Sequence, residues 1–317
     1  MSISRNSMYP ERLHVELTSR CNFKCITCRH GFEPFGEDLS DEACNILIND
    51  IIPCLKEIEL QGTGESLLYK NFWKVFSAAK ENNCRIVLIT NAALLNQELI
   101  QLFTGSNMQL VVSLDGANES TFKMHRPIGD FRSIISKFKM INEYRDTTDN
   151  NDFSLVINTV VTRYNYYELN ELIDLACLYS IDFVFASEVR ECMPDKNTWE
   201  KLRLDNCNNR GEIMEYIDLA TQYAKKKEIG FCFNPCKVNN ERKKDICISP
   251  WKHIYLHANG DLSVCCELDN SFGNINSSSI TDIWNGKSLN EFRNNMIMKE
   301  YNHHCLSCCL PWGIMNE

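Results

Sequence analysis

Cys21, Cys25 and Cys28 fall within one short run, Cys21-Asn22-Phe23-Lys24-Cys25-Ile26-Thr27-Cys28. Thiolates are soft ligands that select zinc, copper(I) or iron–sulfur clusters. A four-iron cube has four corners, so three thiolates leave one iron open to another ligand, much as a catalytic metal site keeps a vacant position. Short cysteine groups also bind zinc, so the spacing by itself leaves both chemistries open.

The chain holds 17 cysteines in 317 residues. A secreted disulfide framework of that density belongs to short chains, and the polar start, residues 1–10, lacks the apolar core of a secretory signal. The expectation is a cytoplasmic protein whose clustered cysteines bind metal. Cys44, Cys54, Cys84 and Cys177 lie in apolar periodic segments and read as small buried hydrophobes. A net charge of −9 argues against a nucleic-acid surface. No apolar run approaches the roughly 18 residues that span a bilayer, so no membrane partner is expected. Lys225-Lys226-Lys227 and Arg242-Lys243-Lys244 read as a solvated helix face and a loop, or as a docking patch for an acidic electron donor.

The elements that would position this loop alternate from Arg12 to about Phe185. Strands are expected at 13–17, 57–60, 85–90, 110–114, 153–161 and 181–185, several as near-continuous apolar runs of the kind buried on both faces. Helices are expected at 40–52, with Ser40 as N-cap and Pro53 as stop, and at 72–81 and 166–179. Six strand–helix units with parallel crossovers imply a barrel or partial barrel. Chemistry in such folds sits on the loops after the strands. Here those loops are the cysteine run, Gln61-Gly62-Thr63-Gly64-Glu65-Ser66, Asn91-Ala92 and Asp115-Gly116. After Glu188 the rhythm breaks into a polar stretch, 190–246, with one helix at about 212–227. Residues 253–258 and 261–264 then read as a hairpin, with Asn259-Gly260 suited to a type I′ turn.

Together, the three-cysteine loop, Gly62-Thr63-Gly64-Glu65 and Ser113-Leu114-Asp115-Gly116 resemble the radical S-adenosylmethionine (SAM) superfamily. That resemblance implies an α/β fold, a partial (β/α)6 TIM-like barrel, in which Cys21, Cys25 and Cys28 hold a [4Fe–4S] cluster whose open iron chelates SAM. Reductive cleavage of SAM would then give methionine and a 5′-deoxyadenosyl radical. Gly62, Thr63, Gly64 and Glu65 would face the SAM amino group, with Ser66 where proline is usual. Ser113 and Arg126 would hold its carboxylate, with Asp115 in the same motif, an arginine fork being suited to that task. Asn91 would lie near the nucleoside and Asn158 near the ribose. The residue before the last cluster cysteine is typically large and packs on adenine, yet here it is Thr27, so Phe23 or Ile26 would supply that surface.

The C-terminal part resembles the SPASM and Twitch auxiliary-cluster domains, which implies a small α+β domain with a β-hairpin. Cys247, Cys265, Cys305 and Cys308 would close a four-thiolate shell around one auxiliary [4Fe–4S] cluster, with Cys266 and Cys309 as substitutes beside two of them. Cys232 and Cys236 leave a further cluster open, while His303 and His304 read as exposed neighbours. The expected division is a barrel at 1–189, a bridge at 190–246 and the auxiliary domain at 247–317. The resemblance implies an oxidoreductase or epimerase that takes hydrogen from a substrate C–H bond, with flavodoxin or ferredoxin as electron donor. The short stretch before the first strand is expected to lack a peptide-binding module, which tilts the reading slightly toward a small molecule such as a sugar or aminocyclitol, with a peptide-modifying enzyme that forms a crosslink, an epimer or an oxidised residue as the alternative. Cys192 is the candidate hydrogen donor and Glu188 the candidate base, each placed just after the sixth strand. The competing reading is a zinc or electron-transfer protein without catalysis.

Overall fold

The computed structural model describes residues 8–28, 36–148, 150–190, 195–206, 210–235, 247–266, 268, 270–302, 305, 306 and 308. Its strands are β1 (Arg12–Val15), β2 (Glu57–Leu60), β3 (Arg85–Thr90), β4 (Met108–Ser113), β5 (Phe153–Val161), β6 (Phe183–Glu188), β7 (Gly230–Asn234), β8 (His253–Leu256), β9 (Asp261–Ser263) and β10 (Gly273–Asn274). The fold class is α/β, with parallel strands separated by helices and a small C-terminal hairpin region. The chain forms two compact units, one from Met1–Arg20, Gly36–Val87 and Lys237–Glu317, the other from Cys21–Phe35 and Leu88–Cys236.

In the first unit β1 is the central strand. It pairs in parallel with β2, Arg12 opposite Glu57, and with β8, Arg12 opposite His253. Successive side chains of a strand point to opposite faces. One face therefore carries Leu13, Val15, Ile58, Leu60, Ile254 and Leu256, all fully buried. The other carries Arg12, His14, Glu57, Glu59, His253 and Tyr255, which share the opposite parity in the same register. Strand β9 returns antiparallel beside β8. The turn between them is not the expected type I′, which needs positive φ at both central residues. Gly260 N–H donates to His257 O, Asp261 O accepts from His257 N–H, and Gly260 sits at φ +89° while Asn259 does not enter the left-handed region. The turn falls on Ala258-Asn259, and Gly260 follows as the bulge residue.

The helix expected over 40–52 starts as foreseen, with the Ser40 hydroxyl accepting from Ala43 N–H. It is α-helical only over Asp41–Ile46, widens to a π turn over Leu47–Ile51 and tightens to a 3₁₀ turn over Ile52–Cys54. Pro53 has no N–H to give and crowds the preceding turn, so the ladder changes pitch around it. The helix Phe72–Glu81 runs as expected. Cys44 and Cys84 are buried as expected, whereas Cys177 is half-buried and Cys54 is exposed.

The second unit carries β4 to β7, parallel and in that order. Leu110, Val112, Leu155, Ile157 and Val184 are fully buried, and Val111 and Val156 nearly so, as strands covered on both faces require. Strand β7 lies where the sequence showed only a polar stretch. The helix Arg210–Lys226 leads into it, and it pairs with β6 from Phe183 opposite Gly230 to Ser187 opposite Asn234. Gly230 fits because a Cβ there would lie 2.3 Å from the Phe183 ring. No helix among the described residues is long and apolar enough to cross a membrane.

Candidate functional site

In the second unit the cysteine loop has no regular secondary structure and is fixed by tertiary bonds. Ile26 N–H donates to His125 O at 3.0 Å, and Cys28 N–H donates to Cys25 O at 3.2 Å. Phe23 is buried, its ring beside Phe122 over the space that a Cβ on Gly129 would fill. Cys21 Sγ accepts from Phe23 N–H at 3.4 Å and from the Asn91 amide at 3.9 Å, and that amide also donates to Asn22 Oδ1 at 2.7 Å. Such N–H donors favour a thiolate and tune a cluster bound to it. Ala92, next to Asn91, sits in the left-handed region at φ +62°.

Burial pushes the Cys25 thiol up to about 12, against the pull of the Arg126 guanidinium, with Asp115 and the thiolates of Cys28 and Cys21 pushing the same way as burial. The three sulfurs thus sense one another, and a bound metal is the positive charge that would replace their protons. They do not converge on one point. Among the described residues the only His/Cys/Asp/Glu trio with ligand atoms all within 4.8 Å of one another is His14, Glu59 and His253. Three mutually sensing but separated thiols suit a multi-iron cluster better than a single ion.

Arg126 belongs to a buried network that spacing did not reveal. Its Nε and Nη2 donate to Asp115 Oδ2, each at 2.8 Å, while Asp115 Oδ1 accepts from Val160 N–H at 2.8 Å. Asn165 donates to Asp115 O and Val160 O, and Glu168 accepts from Ala117 N–H, the Asn118 amide and the Thr121 hydroxyl. His125 is fully buried between Thr121 O and the Thr162 hydroxyl. These residues clamp the loop after β4 and aim a cation at Cys25 and Cys28, the neighbours that raise the Arg126 pKa together with Asp115. Ser113 ends β4 directly opposite Asn158 on β5.

In the first unit the glycine loop packs on the chain that follows β1. A Cβ on Gly62 would meet the Glu16 side chain at 2.5 Å, and one on Gly64 would meet Thr18 O at 2.3 Å and Arg20 O at 2.5 Å. Thr63 donates through its N–H and its hydroxyl to Glu16 Oε1, and Glu65 N–H donates to Arg20 O at 2.8 Å. Glu65 is buried rather than exposed, and its carboxylate caps the 3₁₀ turn Ser66–Leu68.

The C-terminal cysteines also lie in the first unit. Cys305 is pushed up to about 11, first by burial and then by the thiolates of Cys247 and Cys308. The Tyr301 hydroxyl is raised by burial and by Cys247 and Cys305, and it has no hydrogen-bond partner. Ser263 Oγ donates to Cys265 O at 2.9 Å, Cys305 N–H to Asn302 Oδ1 at 2.8 Å, and Cys308 N–H to Cys305 O at 3.4 Å. Arg293, buried, donates to Pro250 O and to Trp284 O, each at 2.7 Å, and stacks on Trp284. It thereby ties the helix Lys287–Ile297 to the turn just after Cys247. This donor set, with Cys247, Cys265 and Cys305 half-buried and Cys308 exposed, fits an iron–sulfur cluster near the surface.

The reacting-group candidates fare differently. Glu188 is buried at the end of β6 and accepts from Nη1 and Nη2 of Arg210, each at 3.1 Å. Cys192, Cys236, Cys309, His303 and His304 lie outside the described residues, while Cys232 is exposed on β7 and Cys266 is half-buried. Of the two basic runs, Arg242-Lys243-Lys244 lies outside the described residues, and Lys227 pairs with Asp174 at 3.4 Å.

Comparison with known proteins bears on these centres directly. The family model described as the radical SAM superfamily matches residues 15–176, and that described as an iron–sulfur cluster-binding domain, SPASM, matches residues 247–309. The chain is 30% identical over 172 residues to the AdoMet-dependent heme synthase of Methanosarcina barkeri, covering 53% of this chain and 47% of that protein. It therefore spans about half the length of that relative. It is 24% identical over 315 residues to the tungsten-containing aldehyde ferredoxin oxidoreductase cofactor-modifying protein of Pyrococcus furiosus, covering 94% of this chain and 87% of that one. Among solved structures, Streptococcus suis SuiB bound to S-adenosylmethionine shares the fold at TM-score 0.73 and 17% identity, over 95% of this chain and 71% of that one. Native anSMEcpe, with bound AdoMet and the Cp18Cys peptide, does so at TM-score 0.67 and 14% identity, over 96% and 88%.

Proposed function

Given that the chain belongs to the radical SAM superfamily and carries a SPASM domain, with a SAM-binding [4Fe–4S] cluster and an auxiliary cluster, we propose that it is a dehydrogenase acting on a polar small molecule of the sugar or aminocyclitol type. With electrons from a flavodoxin or ferredoxin, the first cluster and SAM supply an oxidant able to take a hydrogen atom from an unactivated C–H bond. In this reading Cys21, Cys25 and Cys28 bind that cluster. Arg126, held by Asp115, keeps a positive charge beside it. The glycine loop 62–65 offers SAM a lip whose shape is set by Glu16 and by the carbonyls of Thr18 and Arg20.

One observation carries the choice of oxidation over the other outcomes. The hairpin that leads to Cys265 is joined to β1 by an unbroken parallel register from Arg12 and His253 to Val15 and Leu256. Cys265 therefore follows directly on the sheet that also holds β1 and β2, which supports an ordered electron-accepting centre within this unit. The polar residues that β1, β2 and β8 turn to one face favour a hydroxyl- or amine-bearing substrate.

The test is anaerobic reconstitution followed by assay with candidate substrates deuterated at single carbons. Expected are roughly eight irons per chain, two four-iron cubes, with transfer of deuterium into 5′-deoxyadenosine and a product two electrons more oxidised. Cys305→Ala should retain partial SAM cleavage and lose the oxidised product. Solvent deuterium appearing in an unoxidised product would instead identify an epimerase, and a protein holding zinc alone would sink the radical reading.

A further inference from the structure

Three strands of the first unit bring together a second kind of metal-binding set, one with no cysteine in it. We propose that His14, Glu59 and His253 form a mononuclear site for a zinc-class divalent cation, separate from the iron–sulfur centres. The register produces it. His14 on β1 stands directly opposite Glu59 on β2 and Tyr255 on β8, so His253, two residues before Tyr255, lies diagonally across on the same face. Each of the three offers one ligand atom, and these atoms all lie within 4.8 Å of one another.

The geometry is close to what an ion needs. His14 Nδ1 lies 3.8 Å from Glu59 Oε2. Ligands held about 2.0–2.1 Å from a tetrahedral zinc stand about 3.3 Å apart, so side-chain rotation alone closes the gap. His14 is 6% exposed and its Nε2 is buried without a hydrogen-bond partner, while its Nδ1, the atom facing Glu59, lies 3.4 Å from the Gln61 amide nitrogen, a long contact that an ion would displace. His253 Nδ1 lies 3.3 Å from Val264 O, which sets Nδ1 as donor and leaves Nε2 with the lone pair, the usual support for a metal-binding imidazole. Gln61 holds the other Glu59 oxygen through its amide, and the Tyr255 ring packs on His14 at 4.3 Å between centroids.

The electrostatics agree with the geometry. Burial, with the nearby rings of His253 and His257, holds the His14 imidazole neutral, which is the ligating form. Burial and the Glu57 carboxylate push Glu59 up to about 8, so this carboxyl lacks the counter-charge a cation would bring. Arg12 is the nearest fixed positive charge on this face, and it pairs with Glu57 at 3.5 Å, as Arg85 does at 3.9 Å. His253 is half-buried and keeps part of its surface in solvent, whereas Glu59 is 9% exposed. Two imidazoles and one carboxylate are a set that leaves a fourth position for water or a substrate oxygen.

The test must tell this site from cysteines that also take zinc. The cluster-replete holoenzyme is given zinc, excess metal is removed, and retained zinc is counted and examined by X-ray absorption at the zinc edge. One zinc per chain with nitrogen and oxygen neighbours at about 2.0–2.1 Å is expected. Affinity should fall at least about a hundredfold in His14→Gln and in Glu59→Gln, with iron content unchanged. No retained zinc, a sulfur shell at about 2.3 Å, or equal retention by both variants would overturn the site. Neither zinc retention nor the zinc-edge spectrum depends on SAM cleavage, so failure here leaves the proposed dehydrogenase reaction standing.

Discussion

Gly64 shows how far a single position can be argued. Its absent Cβ leaves room for two backbone carbonyls, Thr18 O and Arg20 O, which cannot rotate away as a side chain could. Gly64→Ala must therefore move the glycine loop or the chain entering the cysteine run, at about 1–3 kcal/mol. Titration of the reconstituted protein should show weakened SAM binding with both clusters retained; unchanged affinity would mean that this contact does not shape the SAM site. Asp115 is argued from charge instead. It is fully buried and is the carboxylate partner of a guanidinium that is 7% exposed. Asp115→Asn strands that cation and should cost about 3–5 kcal/mol in urea unfolding of the iron-free protein. Replacing both, as Asp115→Leu with Arg126→Met, should recover part of the loss, and a single-variant cost under about 1 kcal/mol would refute the pairing. The motif letters made Gly64, Asp115 and Arg126 visible in the sequence. Their partners were not visible, because Thr18, Val160 and Asn165 contact them through the fold and not through any spacing along the chain.

Elements were legible where pattern and local chemistry agreed. The helix Phe72–Glu81 and the strands β2, β3 and β5 follow runs whose periodicity is unmistakable. The reading failed where a neighbour decided the outcome. Gly230–Asn234 becomes a strand because β6 offers it an edge, and its sequence, Gly-Phe-Cys-Phe-Asn, is too short to announce that. The pairing of β8 with β1 joins segments from opposite ends of the chain, so neither the shared register nor the meeting of His14 with His253 has a local signal. Arg293 marks another such junction. It serves two carbonyls, on Pro250 and Trp284, that lose their donor in Arg293→Met, each at a cost of about 1–3 kcal/mol. Because Pro250 lies in the turn just after Cys247, that variant should lose auxiliary iron first. Iron should fall from roughly eight toward roughly four per chain while 5′-deoxyadenosine formation persists. Full iron content in Arg293→Met would show that the turn holds without it.

At the scale of the whole molecule, the two cysteine sets fall into different compact units. Cys21, Cys25 and Cys28 belong to the unit with β4 to β7, while Cys247, Cys265, Cys305 and Cys308 belong to the unit built on β1, β2 and β8. Metal ligation is also folding free energy for the segment that supplies the ligands, since thiols such as Cys25 and Cys305 are held protonated until a metal replaces the proton. Each cluster should therefore order its own unit and leave the other nearly unaffected. Hydrogen exchange reads this out segment by segment. Cys25→Ala should raise exchange over residues 21–28 and at Asn91, and abolish SAM cleavage, while residues 247–266 keep their protection. Cys305→Ala should do the reverse. Strands β4 and β5 should stay protected in both variants, because Leu110, Val112, Leu155 and Ile157 are fully buried whatever metal is present. If either substitution empties both centres of iron, the clusters are coupled and the division of labour between the two units is wrong.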